Sequence, residues 1–226
     1  ALEVLKERHA RAVALCRKVA VGCPGAWLVE EGTMSCAQLG YASSLGWHTK
    51  GLTAGDMETL GMIMRTRGLP QLRDLHLDGN HYGLAGMQAL CEGLGRETVP
   101  SLLHLSHTRL GPAGAEALSA ALRRGALPQL EVLWLMGNPI GKQGVATLAP
   151  ALRNLSALAS LHLAGCDVGD EGVASLVGNL GKDDFKKLEN LLLVKNNITD
   201  TGGRALVSAL LSAARFCLQW QTDCQH

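Results

Sequence analysis

Five times along this chain two leucines flank a single residue, and three positions later comes Asn, Thr or Cys. The copies are Leu75 and Leu77 with Asn80, Leu103 and Leu105 with Thr108, Leu133 and Leu135 with Asn138, Leu161 and Leu163 with Cys166, and Leu191 and Leu193 with Asn196. The leading leucines lie 28, 30, 28 and 30 residues apart. Self-similarity at such a period means one supersecondary unit repeated, so the chain must fold as an array in which each copy contacts only its neighbours.

The unit can be read physically. Leucines two apart point to one face of a strand, and the residues between and beside them point to the other. An amide at the Asn80, Asn138 and Asn196 slot can bond backbone groups left unpaired where the chain turns out of the strand. Thr108 and Cys166 fill the same slot as small, weaker bonders, which makes Cys166 a structural thiol. Beyond the slot come Gly86, Gly114, Gly144, Gly172 and Gly202. Then follow the pairs Leu90 and Leu94, Leu118 and Leu122, Leu148 and Leu152, Leu176 and Leu180, and Leu206 and Leu210, spaced as on a helix. Pro112, Asp170, Glu171 and Asp200 stand where these helices should start. Neither a strand nor a helix of this size can bury its own apolar face, so the units stack into a parallel sheet with helices outside. Packed helices need about 8–10 Å each and strands about 4.8 Å, so the stack curves with the sheet inside.

The pattern LxxLxLxxN/C-x-L, with its Gly-then-helix second half, resembles the leucine-rich repeat of the ribonuclease-inhibitor type over residues 69–211. That subclass also occurs in nucleotide-binding innate-immune receptors and in the activator of the small GTPase Ran. The resemblance implies an α/β solenoid: a curved horseshoe with a parallel sheet on the concave face and helices on the convex face. A degenerate copy precedes the five, with Leu45 and Trp47 as the strand pair, Lys50 in the Asn slot and Leu60 and Met64 on the helix. Three regions are therefore expected: an N-terminal capping region over 1–43, a repeat array over 44–211 and a C-terminal cap or tail over 212–226. Within the first, residues 2–21 carry Leu2, Leu5, Ala12, Val13, Cys16 and Val19 as a helical stripe suited to covering the open end. Residues 22–43 receive no element.

Charge narrows the function classes. Twenty-one Lys and Arg against twenty Asp and Glu leave a net +1 with no run of like sign, so there is no footprint for nucleic acid or an anionic membrane. No apolar run approaches the roughly 18 residues of a membrane span. The seven cysteines are odd in number and lack a CxxC pair, which fits free thiols in a reducing compartment and a cytoplasmic protein. Cys217 and Cys224 are the exception, being spaced to bridge a terminal loop in oxidising surroundings. Residue 1 is Ala, which leaves room for an upstream segment. Asn154 and Asn197 begin glycosylation acceptor triplets that matter only after secretion.

No catalytic constellation appears. There is no HExxH or GxSxG, and the stretch from Gly137 to Gln143 is one residue short of a phosphate loop, so it is repeat grammar. The chain reads as a non-enzyme without cofactor. Its chemistry lies on the concave columns, whose central file runs Gly46, His76, His104, Trp134, His162, Leu192. The flanking files are Ser44, Asp74, Leu102, Val132, Ser160, Asn190 and His48, Asp78, Ser106, Met136, Ala164, Val194. An exposed patch of Val132, Trp134, Met136, Leu192 and Val194, bordered by His76, His104 and His162, is expected to bind a partner protein, with Trp134 as anchor. A second copy of the chain or one of its own ends could cover the same patch. His76 and His104 face each other with Asp74 and Asp78 nearby, but two imidazoles are too few for a tight zinc site, and no metal is assigned. Two other readings rest on the resemblance: regulation of a small GTPase in the manner of the Ran activator, and the sensor or autoinhibitory portion of a larger receptor. No motif here matches the Ran activator residue by residue, and its acidic tail is absent.

Overall fold

The computed structural model describes residues 2–20, 39–97, 100–178, 180, 184–212 and 219–221. Helix α1 (Leu2–Ala20) leads. Strands and helices then alternate as β1 (Ser44–Gly46), α2 (Ala54–Arg65), β2 (Asp74–His76), α3 (Gly83–Gly93), β3 (Leu102–His104), α4 (Pro112–Arg123), β4 (Val132–Trp134), α5 (Gly141–Arg153), β5 (Ser160–His162), α6 (Gly169–Val177), β6 (Asn190–Leu192), α7 (Asp200–Ser212) and β7 (Gln219–Gln221). Every strand pairs in parallel with the next, so sheet order equals chain order. The architecture is an α/β leucine-rich solenoid.

Register follows the leucine pattern. Leu45, Leu75, Leu103, Leu133, Leu161 and Leu191 form one row across the sheet, each at most 3% exposed. With Leu77, Leu105, Leu135, Leu163 and Leu193, all buried, they fill the space between sheet and helices. Residues 44–66 form the degenerate first unit, with Trp47 and Leu60 almost fully buried. At the other end β7 continues the sheet, Trp220 standing opposite Leu191 29 positions later in the chain. Cys217 and Cys224, and the side chains of Phe216, Leu218 and Trp220, lie outside the described residues, as do residues 22–38.

The asparagines join the units. Asn138 Nδ2 donates to the carbonyls of Leu105 and Leu135, both at 2.8 Å, while its Oδ1 accepts from the amides of Thr108 at 3.0 Å and Leu110 at 2.9 Å. Asn196 repeats this with Leu163, Leu193, Cys166 and Val168. Asn80 does so with Trp47, Leu77 and Leu52. Each amide thus ties its own unit to the preceding one, whose slot residue is small or irregular: Thr108 before Asn138, Cys166 before Asn196, Lys50 before Asn80. The asparagines recur every 58 residues, from 80 to 138 and from 138 to 196, so the structural period is a pair of units. Thr108 Oγ1 and Cys166 Sγ bond the carbonyls of Leu105 at 2.8 Å and Leu135 at 3.1 Å.

The residue before every slot adopts a left-handed backbone: Thr49, Gly79, His107, Gly137, Gly165 and Lys195 all have φ between 50° and 67°. Glycine suits that conformation. At Gly137 a second reason applies, because a Cβ would fall 2.1 Å from the His107 ring. The helices stack side by side. Helix α2 opens on a capping box between Thr53 and Asp56, and α4 opens with Pro112 at its first turn. Between α2 and α3 the backbones themselves meet, since a Cβ on Gly93 would lie 2.2 Å from the Cα of Gly61.

Helix α1 packs on α2, burying Leu15, Cys16 and Val19. The expected stripe is corrected at its N-terminal end: Leu5 is exposed, and it is Val4, Glu7 and Arg8 that line a cleft shared with Glu58, Thr59, Met62 and Arg65 of α2. Lys18 to Asp56 at 2.5 Å and Arg11 to Glu58 at 3.2 Å fix that docking.

Two stability predictions follow from these contacts. Asn138→Ala leaves the buried amides of Thr108 and Leu110 without an acceptor and removes one of two donors from the carbonyls of Leu105 and Leu135, so at about 1–3 kcal/mol for each orphaned amide urea denaturation should show a loss of at least about 2 kcal/mol. Gly93→Ala forces α2 and α3 apart and should lower the thermal midpoint, whereas Gly83→Ala, whose Cβ meets nothing within 4 Å, carries only the strain of its positive φ.

Candidate functional site

The register that buries the leucines lines up the residues between them. His76 faces His104, His104 faces Trp134, Trp134 faces His162 and His162 faces Leu192 across neighbouring strands. Strands about 4.8 Å apart bring ring against ring. His76 and His104 have centroids 5.6 Å apart at 74°, His104 and Trp134 4.4 Å apart at 78°, and Trp134 and His162 5.2 Å apart at 36°. Four rings thus form one row, edge to face at one end and tilted at the other.

The row changes what the sequence led one to expect of exposure. Val132, Trp134, Met136, Leu192 and Val194 are half-buried, not exposed, because each side chain leans on its cross-strand neighbours. The Trp134 indole nitrogen is fully covered and makes no hydrogen bond within the structure. Ser106, placed by alternation in an outward file, is buried.

Electrostatics divide the wall. On β2 and β3 the Nδ1 of His104 lies 3.1 Å from Asp78 Oδ1 and 3.4 Å from His76 Nδ1. Burial holds the His104 imidazole below its ordinary value, with Asp78 opposing and His76 adding to the depression. Burial alone lowers His162. Beyond Trp134 the wall mixes apolar Ala164, Leu192 and Val194 with His162 and with Asn190, whose Nδ2 donates to Ser160 Oγ at 3.2 Å. Sequence reasoning paired His76 with His104, since they are 28 residues apart in the same file; the reach of Asp78 across to His104 depends on side-chain direction, which spacing does not encode.

The slot residues Asn80, Thr108, Asn138, Cys166 and Asn196 all sit behind the wall, at most 2% exposed. Burial pushes the Cys166 thiol up to about 11 and that of Cys91 up to about 12, so neither carries thiolate near neutral pH.

Comparison with known proteins agrees with this geometry. A family profile described as Leucine Rich repeat matches residues 102–119, 156–177 and 186–207, each stretch running from a strand into the following helix. Ribonuclease inhibitor from Mus musculus is 30% identical over 161 residues, covering 71% of this chain and 34% of that protein. Ribonuclease inhibitor from Sus scrofa is 34% identical over 160 residues, 70% of this chain and 34% of that protein. This is a leucine-rich-repeat protein of the ribonuclease-inhibitor-like type. The leucine-rich chain spans about a third of the length of these curated relatives. Internalin C2 from Listeria monocytogenes, a solved structure, aligns over 93% of this chain and 92% of its own at 18% identity and a TM-score of 0.38. Among the described residues of the leucine-rich array, no helix is long and apolar enough to cross a membrane.

The depressed His162 gives a pH signature. Its folded value lies below the ordinary 6.5, so the unfolded chain binds the proton more readily, and the stability it contributes is complete above about pH 6.5 and is lost as pH falls through the folded value. His162→Gln should therefore flatten the decline of the thermal midpoint as pH falls below about 6.5. An unchanged decline would show that other groups account for it.

Proposed function

We propose that the chain is a non-catalytic recognition module that binds a partner protein on the concave face of its sheet, anchored by Trp134. The observation that supports this reading most is the set of large apolar side chains on the wall: Val132, Trp134 and Met136 on and just after β4, and Leu192 and Val194 on and just after β6, lie half-buried in the files that the register turns away from the leucine core. Large side chains held by neighbours cost little conformational entropy to present, and aromatic anchors supply much of the energy of protein interfaces. The flanking histidines, two of them depressed by burial, offer neutral hydrogen-bonding rims.

The relatives support the same class, since both are described as ribonuclease inhibitors. A ribonuclease is therefore the first partner to test. The site residues we assign are His76, His104, Val132, Trp134, Met136, His162, Leu192 and Val194. We place the protein in the cytoplasm, supported by the free buried thiols of Cys91 and Cys166. The array over 44–211 carries recognition and residues 1–43 and 212–226 flank it.

Trp134→Glu tests the reading. Its far-ultraviolet circular dichroism should match wild type. Its affinity for a ribonuclease, or for a partner captured from native lysate and identified by mass spectrometry, should fall by at least about 30-fold, the roughly 2 kcal/mol of a hot-spot residue. Unchanged capture by the variant removes the concave wall as the site. Light scattering distinguishes self-association: a dimer that Trp134→Glu dissociates means that the wall binds a second copy.

A further inference from the structure

We infer that His76, Asp78 and His104 form a binding site for one divalent transition-metal ion of the zinc class, at the polar end of the concave wall. Each side chain offers one ligand atom, and the three atoms all lie within 4.8 Å of one another. Two of the separations are close to those of a filled site. The His76 and His104 Nδ1 atoms are 3.4 Å apart, and His104 Nδ1 is 3.1 Å from Asp78 Oδ1. Ligands about 2.0–2.1 Å from a tetrahedral ion stand about 3.3 Å from each other. The backbone holds this arrangement, because His76 and His104 are paired residues of adjacent strands and Asp78 stands two residues beyond His76.

Hydrogen bonding alone serves the cluster poorly. An imidazole Nδ1 either donates or accepts, and here two such nitrogens and a carboxylate oxygen converge. If His104 donates to Asp78, the same proton stands between His104 and His76, and His76 Nδ1 gains no bond of its own. A dication takes a lone pair from all three, with both rings as Nε2–H tautomers. Two imidazoles and one carboxylate suit zinc, cobalt, nickel or copper, and are a poor set for magnesium or calcium. The Trp134 ring, 4.4 Å from His104 and nearly perpendicular to it, limits the rotation of that ligand. All three side chains are only partly buried, so a fourth position opens to the concave space, where water or a partner's side chain completes the coordination.

The test uses the whole chain without a histidine tag. Cobalt(II), added stepwise, should give the visible absorption of a tetrahedral ion with one equivalent bound, and zinc should displace it. His76→Ala, Asp78→Asn and His104→Gln should each weaken binding by at least the roughly 10- to 100-fold that loss of an outer-shell partner costs, while His9→Ala in α1 should leave it unchanged. Zinc should also raise the thermal midpoint of wild type and not of the variants. Circular dichroism checks each fold first, and if His104→Gln fails to fold, the other two variants decide. No visible band, binding that survives all three substitutions, or a thiolate charge-transfer band marking the cysteines as ligands would overturn the site. The outcome is separable from that of the recognition surface, because the cobalt band and its displacement by zinc are read on the chain alone, with no partner present.

Discussion

One amide group, repeated three times, holds this solenoid to a single geometry. A chain leaving a strand for a left-handed turn has backbone donors and acceptors that neither sheet nor helix can serve, and here they are sealed from water. The asparagine side chain is both donor and acceptor, and Asn138 uses both capacities to bridge two units, Leu105 and Thr108 on one side and Leu135 on its own. A hydrophobic core tolerates some sliding of layer on layer, whereas a buried hydrogen-bond set does not. Because the bridges run backward to a slot that needs only a small or tolerant residue, asparagine is required at every second unit, and Thr108 and Cys166 are sufficient between.

That clasp fixes the register, and the register decides what the inner wall displays. A slip of one position would turn His76, His104, Trp134 and His162 into the core and the leucines out. With the register held, side chains from four separate strands become a continuous row of rings whose spacing is that of the sheet itself. The polar and apolar residues of the wall therefore come from one constraint, read at different strands.

Much of this was legible in the sequence because the repeat grammar exposes it. The leucine pairs, the asparagine slot, the degenerate unit at Leu45 and Trp47 and the membership of each file all follow from period and alternation. What was hidden depends on interactions that pattern does not carry. Thr49, His107 and Lys195 take the left-handed turn that Gly79, Gly137 and Gly165 advertise, held there by the structure on either side and not by their own preference. Leu5 fits the helical stripe of α1 and is nevertheless exposed, while Val4, Glu7 and Arg8 line the cleft shared with α2. Ser106 obeys alternation and is nevertheless covered. The reach of Asp78 to His104 is a matter of rotamer, and the capping box of Thr53 and Asp56 has Asp where the usual spacing signature carries Glu or Gln.

The contact of bare backbone between Gly61 and Gly93 bears on shape. A horseshoe bends because its outer layer is broader than its inner one, so each junction acts as a wedge whose angle depends on how far its helices stand apart. Two glycines remove the side-chain spacer at the α2 and α3 junction, and the wedge there is thinner. Closer helices at that junction favour a smaller bend between the first two units than full side chains at the interface would impose.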